Sequence, residues 1–189
     1  MSADYAYDEH FTPDNLDASQ MLREYEQCSF SGFAFSGYQL QGKQFSDCSF
    51  TDCDLSMANI EGTAFREVRF IRCKLVGLQF DGCNPFLFEI QPEGCQLQLA
   101  AFANMKLKQA RFVQCHMHEV DFSNADLSKA SFTDCDLAGA IFDNTNLEQA
   151  DFRTAIHYAI DPAANRMKKA KFSINGLPGL LHKYQLDIS

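Results

Sequence analysis

Apolar side chains along this chain recur at every fifth residue. Stepping by five from Phe30 gives Phe35, Leu40, Phe45, Phe50, Leu55, Ile60, Phe65, Phe70, Leu75 and Phe80. A second series runs from Leu97 through Phe102, Leu107, Phe112, Met117, Phe122, Leu127, Phe132, Leu137, Phe142 and Leu147 to Phe152. All 23 positions are Phe, Leu, Ile or Met, so a buried face is being written at this spacing. Neither regular element has such a period. On a helix a step of five carries the apolar side around by ~140° each time, and on a flat strand an odd step alternates faces. The chain must therefore turn at every repeat. Each pentad forms one short side of a coil with its central residue inward, and successive coils pair as parallel strands.

The second series also gives the number of sides. Phe and Leu alternate there, so Phe102, Phe122 and Phe142 match at intervals of 20, as do Phe112, Phe132 and Phe152. A three-sided coil would stack Phe on Leu; four sides of five residues keep like on like. The position two before each central residue is a second inward one and is usually small, as at Ala100, Ala110, Ala125, Ala130, Ala140 and Ala150. All eight cysteines fall there, many of them 20 apart: Cys28 and Cys48; Cys53 and Cys73; Cys95, Cys115 and Cys135; and Cys83 by itself. They read as reduced, core-filling thiols, since Cys is small and among the most buried residue types. Ladders of inward thiols lack the tetrahedral convergence that zinc requires.

The pattern has one break and two ends. Between Pro92 and Cys95 the frame shifts by two residues, Glu93 and Gly94, and Pro85 takes a central position although it cannot donate to a ladder. The segment 83–94 should bulge as a frame correction, with Phe86 or Leu87 as the side chains it would offer to a partner. Residues 1–27 read as an acidic N-terminal cap with a short helix over Ala18 to Glu24, covering strand edges that would otherwise be open. Residues 28–154 form the repeat body, and 155–189 a C-terminal cap. There Leu177, Leu180, Leu181 and Tyr184 fall at i, i+3, i+4 and i+7 after Asn175 and Gly176, a helical apolar stripe. That stripe is the expected homodimer interface.

Composition narrows the function. A chain of 189 residues, 46% hydrophobic and 22% charged, suits one folded domain. No apolar run approaches the ~18 residues of a membrane span, and the acidic start MSADYAYDEH lacks the form of a signal peptide, so a cytoplasmic location without membrane contact is expected. Residues 1–160 hold 11 Lys and Arg against 23 Asp and Glu, whereas residues 161–189 hold 5 against 2. An acidic body repels nucleic acid and suits basic surfaces. The chain has no Gly-rich phosphate loop and no Ser/His/Asp or metal-ligand motif, which argues against an enzyme. His116 and His118 flank inward Met117 and point outward, but two His ligands do not complete a zinc site. No catalytic residue, cofactor or metal is expected.

The repeats A-D-L-S-K, A-S-F-T-D, C-D-L-A-G, A-I-F-D-N, T-N-L-E-Q and A-D-F-R-T, residues 125–154, resemble the A-(D/N)-L-x-x signature of pentapeptide-repeat proteins. The resemblance implies an all-β solenoid, a right-handed quadrilateral parallel β-helix of just over six coils, closed by a short C-terminal helix. Cys53-Asp-Leu-Ser-Met-Ala58 and the tail, with Asp161-Pro162, Asn165-Arg166, Lys171-Phe172-Ser173 and the closing Leu180 to Ile188, resemble one subgroup. It contains the Qnr quinolone-resistance proteins and the microcin-immunity protein McbG. That subgroup implies a homodimeric acidic rod that binds DNA gyrase and topoisomerase IV by mimicking duplex DNA and protects them from poisons. Two features depart from it: the loop insertions of Qnr proteins are missing, and Arg66, Arg69, Arg72 and Lys74 interrupt the acidic body. On this reading Asp121, Asp126, Asp134, Asp136, Asp143, Glu148 and Asp151 are the outward acids that would meet the partner. Asp and Asn also suit tight corners by bonding backbone groups. The competing reading is a general protein-interaction scaffold, since repeat architectures offer long faces to many partners.

Overall fold

In a computed structural model, which describes residues 4–187, the pentads form the sides of a four-sided parallel solenoid. Residues 20 apart lie directly above one another: Gln44 pairs with Ala64, Ser49 with Arg69, Asp54 with Lys74 and Asp121 with Ile141. Two faces carry ladders of short strands. One is a seven-stranded sheet through Ser29–Ser31, Ser49–Thr51, Val68–Ile71, Ile90–Glu93, Arg111–Val113 and Ser131–Thr133, with His10–Phe11 at its end. This is the first face, and its inward column holds Phe30, Phe50, Phe70, Pro92, Phe112, Phe132, Phe152 and Phe172. In chain order, the second face is centred on Phe35, Leu55, Leu75, Leu97, Met117 and Leu137, and the third on Leu40, Ile60, Phe80, Phe102, Phe122 and Phe142. The fourth carries the other sheet, Tyr5–Tyr7, Glu24–Glu26, Gln44–Ser46 and Ala64–Arg66, and continues through Leu107, Leu127 and Leu147.

The columns stack as the period requires. Phe102, Phe122 and Phe142 lie one above another at ring-centroid separations of 5.4 and 5.3 Å, and Phe112, Phe132 and Phe152 at 5.2 and 4.7 Å. Between columns the rings meet edge to face, as at Phe112 and Phe122, 6.0 Å apart and tilted by 71°. Each ring thus sets its positive edge against a negative face, the arrangement its quadrupole favours. The small inward residues satisfy polar groups as well as filling space. Thr63 and Thr145 donate their hydroxyls to the carbonyls of Leu40 and Phe122 one coil back, at 2.8 and 2.9 Å. Cys73 and Cys95 direct Sγ at the carbonyls of Phe50 and Phe70, each at 3.3 Å.

Four expectations are corrected. The N-terminal segment joins the solenoid: Ala6 pairs with Tyr25 and Phe11 with Phe30, both facing inward. The first coil escapes the five-residue period because it is one residue short, Ala6 pairing with Tyr25 and Phe11 with Phe30 at an offset of 19, and a turn in which Asn15 bonds Thr12 and His10 takes the place of regular pentads. The helix over Ala18 to Glu24 is one 3-10 turn, Ala18–Gln20, capped by Asp17, and Glu24 already belongs to a strand. The frame shift lies at 85–88, not at Glu93 and Gly94, because Val68 already pairs with Ile90 and Phe70 with Pro92. Pro85 is exposed, Phe88 packs against Phe65 and Phe80, and Pro92 takes the central inward position. At the C-terminus the helical stripe is broken. The α-helical turn spans only Pro178–Leu181, and Tyr184 sits in the 3-10 turn His182–Tyr184, which ends at left-handed Gln185. Close docking onto Tyr158 is the cause: a Cβ on Gly179 would collide with the Tyr158 carbonyl oxygen, and the Gly179 carbonyl accepts a bond from the Ile160 N–H. Met1 to Ala3 of the acidic segment and Ile188 and Ser189 of the tail lie outside the described residues.

Candidate functional site

The solenoid distributes the seven outward acids over all four sides. Asp151 stands on the first face, Asp136 on the second, Asp121 and Asp143 on the third, and Asp126 and Glu148 on the fourth. Asp134 occupies the corner after the first face, with φ 53°. Four of the seven brace their own side of the coil. Asp121, Asp126, Asp136 and Asp151 each accept, through Oδ1, the N–H two residues on, at 2.8 to 3.2 Å. Asp54, Asn59, Asn146 and Asp161 do the same. This is the work of the second position of the repeat: a short side-chain acceptor satisfies a backbone donor that the ladder leaves over.

Several of these carboxylates also face cations or imidazoles. Asp151 binds the Arg153 guanidinium at 2.7 Å with Lys171 at 3.8 Å, and the Arg153 hydrogen bond leads the causes that hold its carboxyl below the ordinary value. Glu148 meets Arg166 at 3.1 Å. Asp136 lies between His118 and His157, 2.9 Å from each. Burial alone would raise its carboxyl, and the two imidazoles with the Ala138 N–H outweigh that and lower it. Among the described residues, Asp134 and Asp143 make no side-chain hydrogen bond or ion pair to protein.

Sorting by face exposes what reading along the chain hid. The third-face pentads 38–42, 58–62, 78–82, 100–104, 120–124, 140–144 and 160–164 contain Glu61, Asp81, Asp121, Asp143 and Asp161 and no Lys or Arg. Among the described residues, only Asp161 of these has a cationic partner, Lys183 at 2.7 Å. The fourth face, by contrast, carries Lys43, Arg66, Lys106, Lys108 and Arg166.

Family models place the repeats along most of this body. "Pentapeptide repeats (8 copies)" matches residues 28–66 and 48–84, and "Pentapeptide repeat region" matches residues 86–156. The chain belongs to the pentapeptide-repeat family. Among solved structures it is similar to a trypsin-treated form of QnrB1, described as a plasmid-mediated fluoroquinolone resistance protein. Identity is 19%, the TM-score is 0.50, and the match covers 98% of this chain and 97% of that one. It also matches HetL of the cyanobacterium Nostoc, a pentapeptide repeat protein involved in regulating heterocyst differentiation. There identity is 16%, the TM-score is 0.44, and coverage is 81% and 87%. No curated protein sequence matches. These likenesses bear on the pentapeptide-repeat fold.

The remaining candidates take their places on this rod. Arg66, Arg69, Arg72 and Lys74 do not form one patch, since the corners turn them apart. Arg66 lies over the Phe86 ring, Arg72 is paired with Asp52 and Lys74 approaches Asp54, which leaves Arg69 outward on the first face. At the C-terminus Leu177, Leu181 and Tyr184 are exposed together with Ile174 and Leu186, whereas Leu180 turns in against the core. All eight cysteines are buried and unbridged. On the second face Cys53, Cys73, Cys95, Cys115 and Cys135 form one inward ladder, and the first four direct Sγ at backbone carbonyls one coil back. Cys95 and Cys115 are pushed up to about 12, first by the thiol above and then by burial. Such groups are inert. No helix among the described residues is long and apolar enough to cross a membrane.

Proposed function

We propose that the protein is a non-enzymatic mimic of duplex DNA that binds a type II topoisomerase, DNA gyrase being the candidate, and shields it from an inhibitor or toxin. The observation that carries this reading is the third face, a side of the rod bearing acids and no Lys or Arg. Its charges are spaced at roughly one per coil of ~4.8 Å, sparser than the one per ~1.7 Å of duplex DNA. Shape must therefore do part of the work, with the acids steering the rod into a cationic groove. The described role of QnrB1 in quinolone resistance and the Qnr-like tail support the choice of target. On this reading the contact acids are Glu61, Asp81, Asp121 and Asp143, and a second copy docks on Leu177, Leu181 and Tyr184 to give a cytoplasmic homodimer.

Purified gyrase supercoiling, with and without the protein, tests the proposal. Micromolar protein should inhibit the reaction or relieve drug inhibition. The triple variant Glu61→Lys, Asp81→Lys, Asp143→Lys, which spares the bracing Asp121, should lose the effect. An undiminished effect in the triple variant would remove the third face from the interface. No effect of the unaltered protein would leave the interaction-scaffold reading, which the bracing and paired acids on the other faces favour.

A further inference from the structure

The second face carries a cluster that the sequence shows only in part. His116 and His118 flank Met117, and the solenoid sets Asp136 directly above His116 in the outward column. One ligand atom from each of the three residues lies within 4.8 Å of the others. His118 Nε2 is 2.9 Å from Asp136 Oδ2, yet it is enclosed and makes no hydrogen bond, so the two atoms are close without being aligned as donor and acceptor. Atoms sharing one ion at about 2.0–2.1 Å from it stand in this relation, roughly 3 Å apart. The two imidazole rings are nearly perpendicular, 88°, at 6.3 Å between centroids, so they do not stack.

A third histidine supports the carboxylate. His157, one coil further on, places Nδ1 2.9 Å from Asp136 Oδ1, and the Ala138 N–H binds the same oxygen at 3.2 Å. Hydrogen bonds of this kind orient a ligating carboxylate. The four pentads around the cluster, 95–99, 115–119, 135–139 and 155–159, contain no Lys or Arg, so no fixed cation competes for the place, and Glu119 adds negative charge at the next corner. Parallel bridges His116 to Asp136 and Asp136 to Ile156 fix the backbone beneath the ligands.

We propose that His116, His118 and Asp136 bind a borderline divalent transition-metal ion of the zinc class, with His157 as the residue that positions Asp136. Two imidazoles and one carboxylate suit zinc, nickel or copper rather than calcium or magnesium. Three protein ligands leave at least one position to water, and the ion ties successive coils together at the C-terminal end of the rod.

The test uses the untagged full chain, freed of metal by a chelator and titrated with zinc by calorimetry and with cobalt by absorption. One ion per chain should bind and raise the unfolding temperature. His118→Ala should abolish stoichiometric binding, and His157→Ala should weaken it about 10- to 100-fold. The cobalt spectrum should show d–d bands and no thiolate charge-transfer band, with circular dichroism confirming that the variants remain folded. Failure to saturate with zinc at millimolar concentration, unchanged binding in folded His118→Ala, or a thiolate band placing the ion on cysteines would each overturn the site.

Discussion

On either side of residues 85–88 the same four-sided coil is filled in two ways. Before the bulge, Phe lines the adjacent first and fourth faces: Phe50 and Phe70 stand beside Phe45 and Phe65, meeting edge to face at 5.2 and 5.7 Å. After it, Phe lines the first and third faces, with Leu or Met on the second and fourth, and Phe122 and Phe132 meet at 5.9 Å. Both halves give a typical coil two rings and two aliphatic side chains, so the interior volume is conserved while its arrangement changes. At the junction Phe80 begins the third-face column above Ile60, and the Phe column on the fourth face ends at Phe65. Phe88 bridges the two, 6.4 Å from Phe65 and 6.1 Å from Phe80, beside the coil in which Pro92 replaces a ring of the first column. The bulge thus supplies a ring that joins the fourth-face column to the third-face one.

The halves also differ in how their sides are held. Three-residue ladders form on the first and fourth faces, as at Ser29, Ser49, Gln44 and Arg111, whereas the second and third faces pair through single bridges, as at Gln39, Lys74, Gln79 and Gln96. Where Asp or Asn stands before the central residue, its side chain takes the following N–H and the side pairs through a single bridge, as at Asp54, Asp121, Asp126 and Asp151. The first face shows the change within one column, from the Ser131–Thr133 strand to the lone Ser131–Asp151 bridge. On the first and fourth faces the Asp and Asn of the repeat signature accompany the loss of strand in the C-terminal half, where a short polar side chain competes with the ladder for the backbone.

The largest effect expected is in the opposed columns. Phe122 stacks on Phe102 and Phe142 and touches Phe112 and Phe132 edge on. Phe122→Ala should cost about 3–5 kcal/mol in urea unfolding. A loss below about 1 kcal/mol would mean that the C-terminal columns relax around the hole, and that the contrast with the N-terminal half has no energetic content.

A smaller effect separates packing from display at the junction. Phe88→Ala should cost about 2–4 kcal/mol, somewhat less than a fully buried Phe because the ring is only partly covered. Phe86→Ser, at a side chain 65% exposed, should stay within about 0.5 kcal/mol. Equal losses would show that the exposed part of the bulge, with Arg66 over the Phe86 ring, stabilises the rod as much as the ring beneath it.

How much of this was legible follows from the residues themselves. Strict recurrence at five and twenty disclosed the four faces, the Phe columns and the thiol ladder, because each buried position admits few residue types. The bulge falls inside 83–94 as expected, but the frame shift within it reads too late because Ile90 is apolar and inward in either frame: it suits the central position of the old one and the small-residue position of the new. The N-terminal coil was hidden by its loop at 12–23, which breaks the period. Acids close in sequence, such as Asp134, Asp136 and Asp143, look like one track, yet each corner turns the next side through a new direction, and only sorting by twenty recovers the third face. His157 lies beyond the repeat span assigned from sequence, so its approach to Asp136 had no local signal.

The smallest effect concerns the charges that accompany a bracing side chain. Asp151→Asn keeps an acceptor for the Arg153 N–H and removes the negative charge facing Arg153 and Lys171. Because those cations are largely solvated, the loss at neutral pH should be below about 1 kcal/mol and should shrink with added salt. The pH dependence fixes its origin. The Asp151 carboxyl is lowered, first by the Arg153 side-chain hydrogen bond, so its stabilisation is fully present above the ordinary carboxylate pKa and is lost as pH falls through the lowered value. Thermal unfolding of the two proteins should therefore differ at pH 7 and converge in acid. A difference that persists unchanged at low pH would assign the loss to the bracing bond, and the single bridge of this face would then depend on side-chain geometry rather than charge.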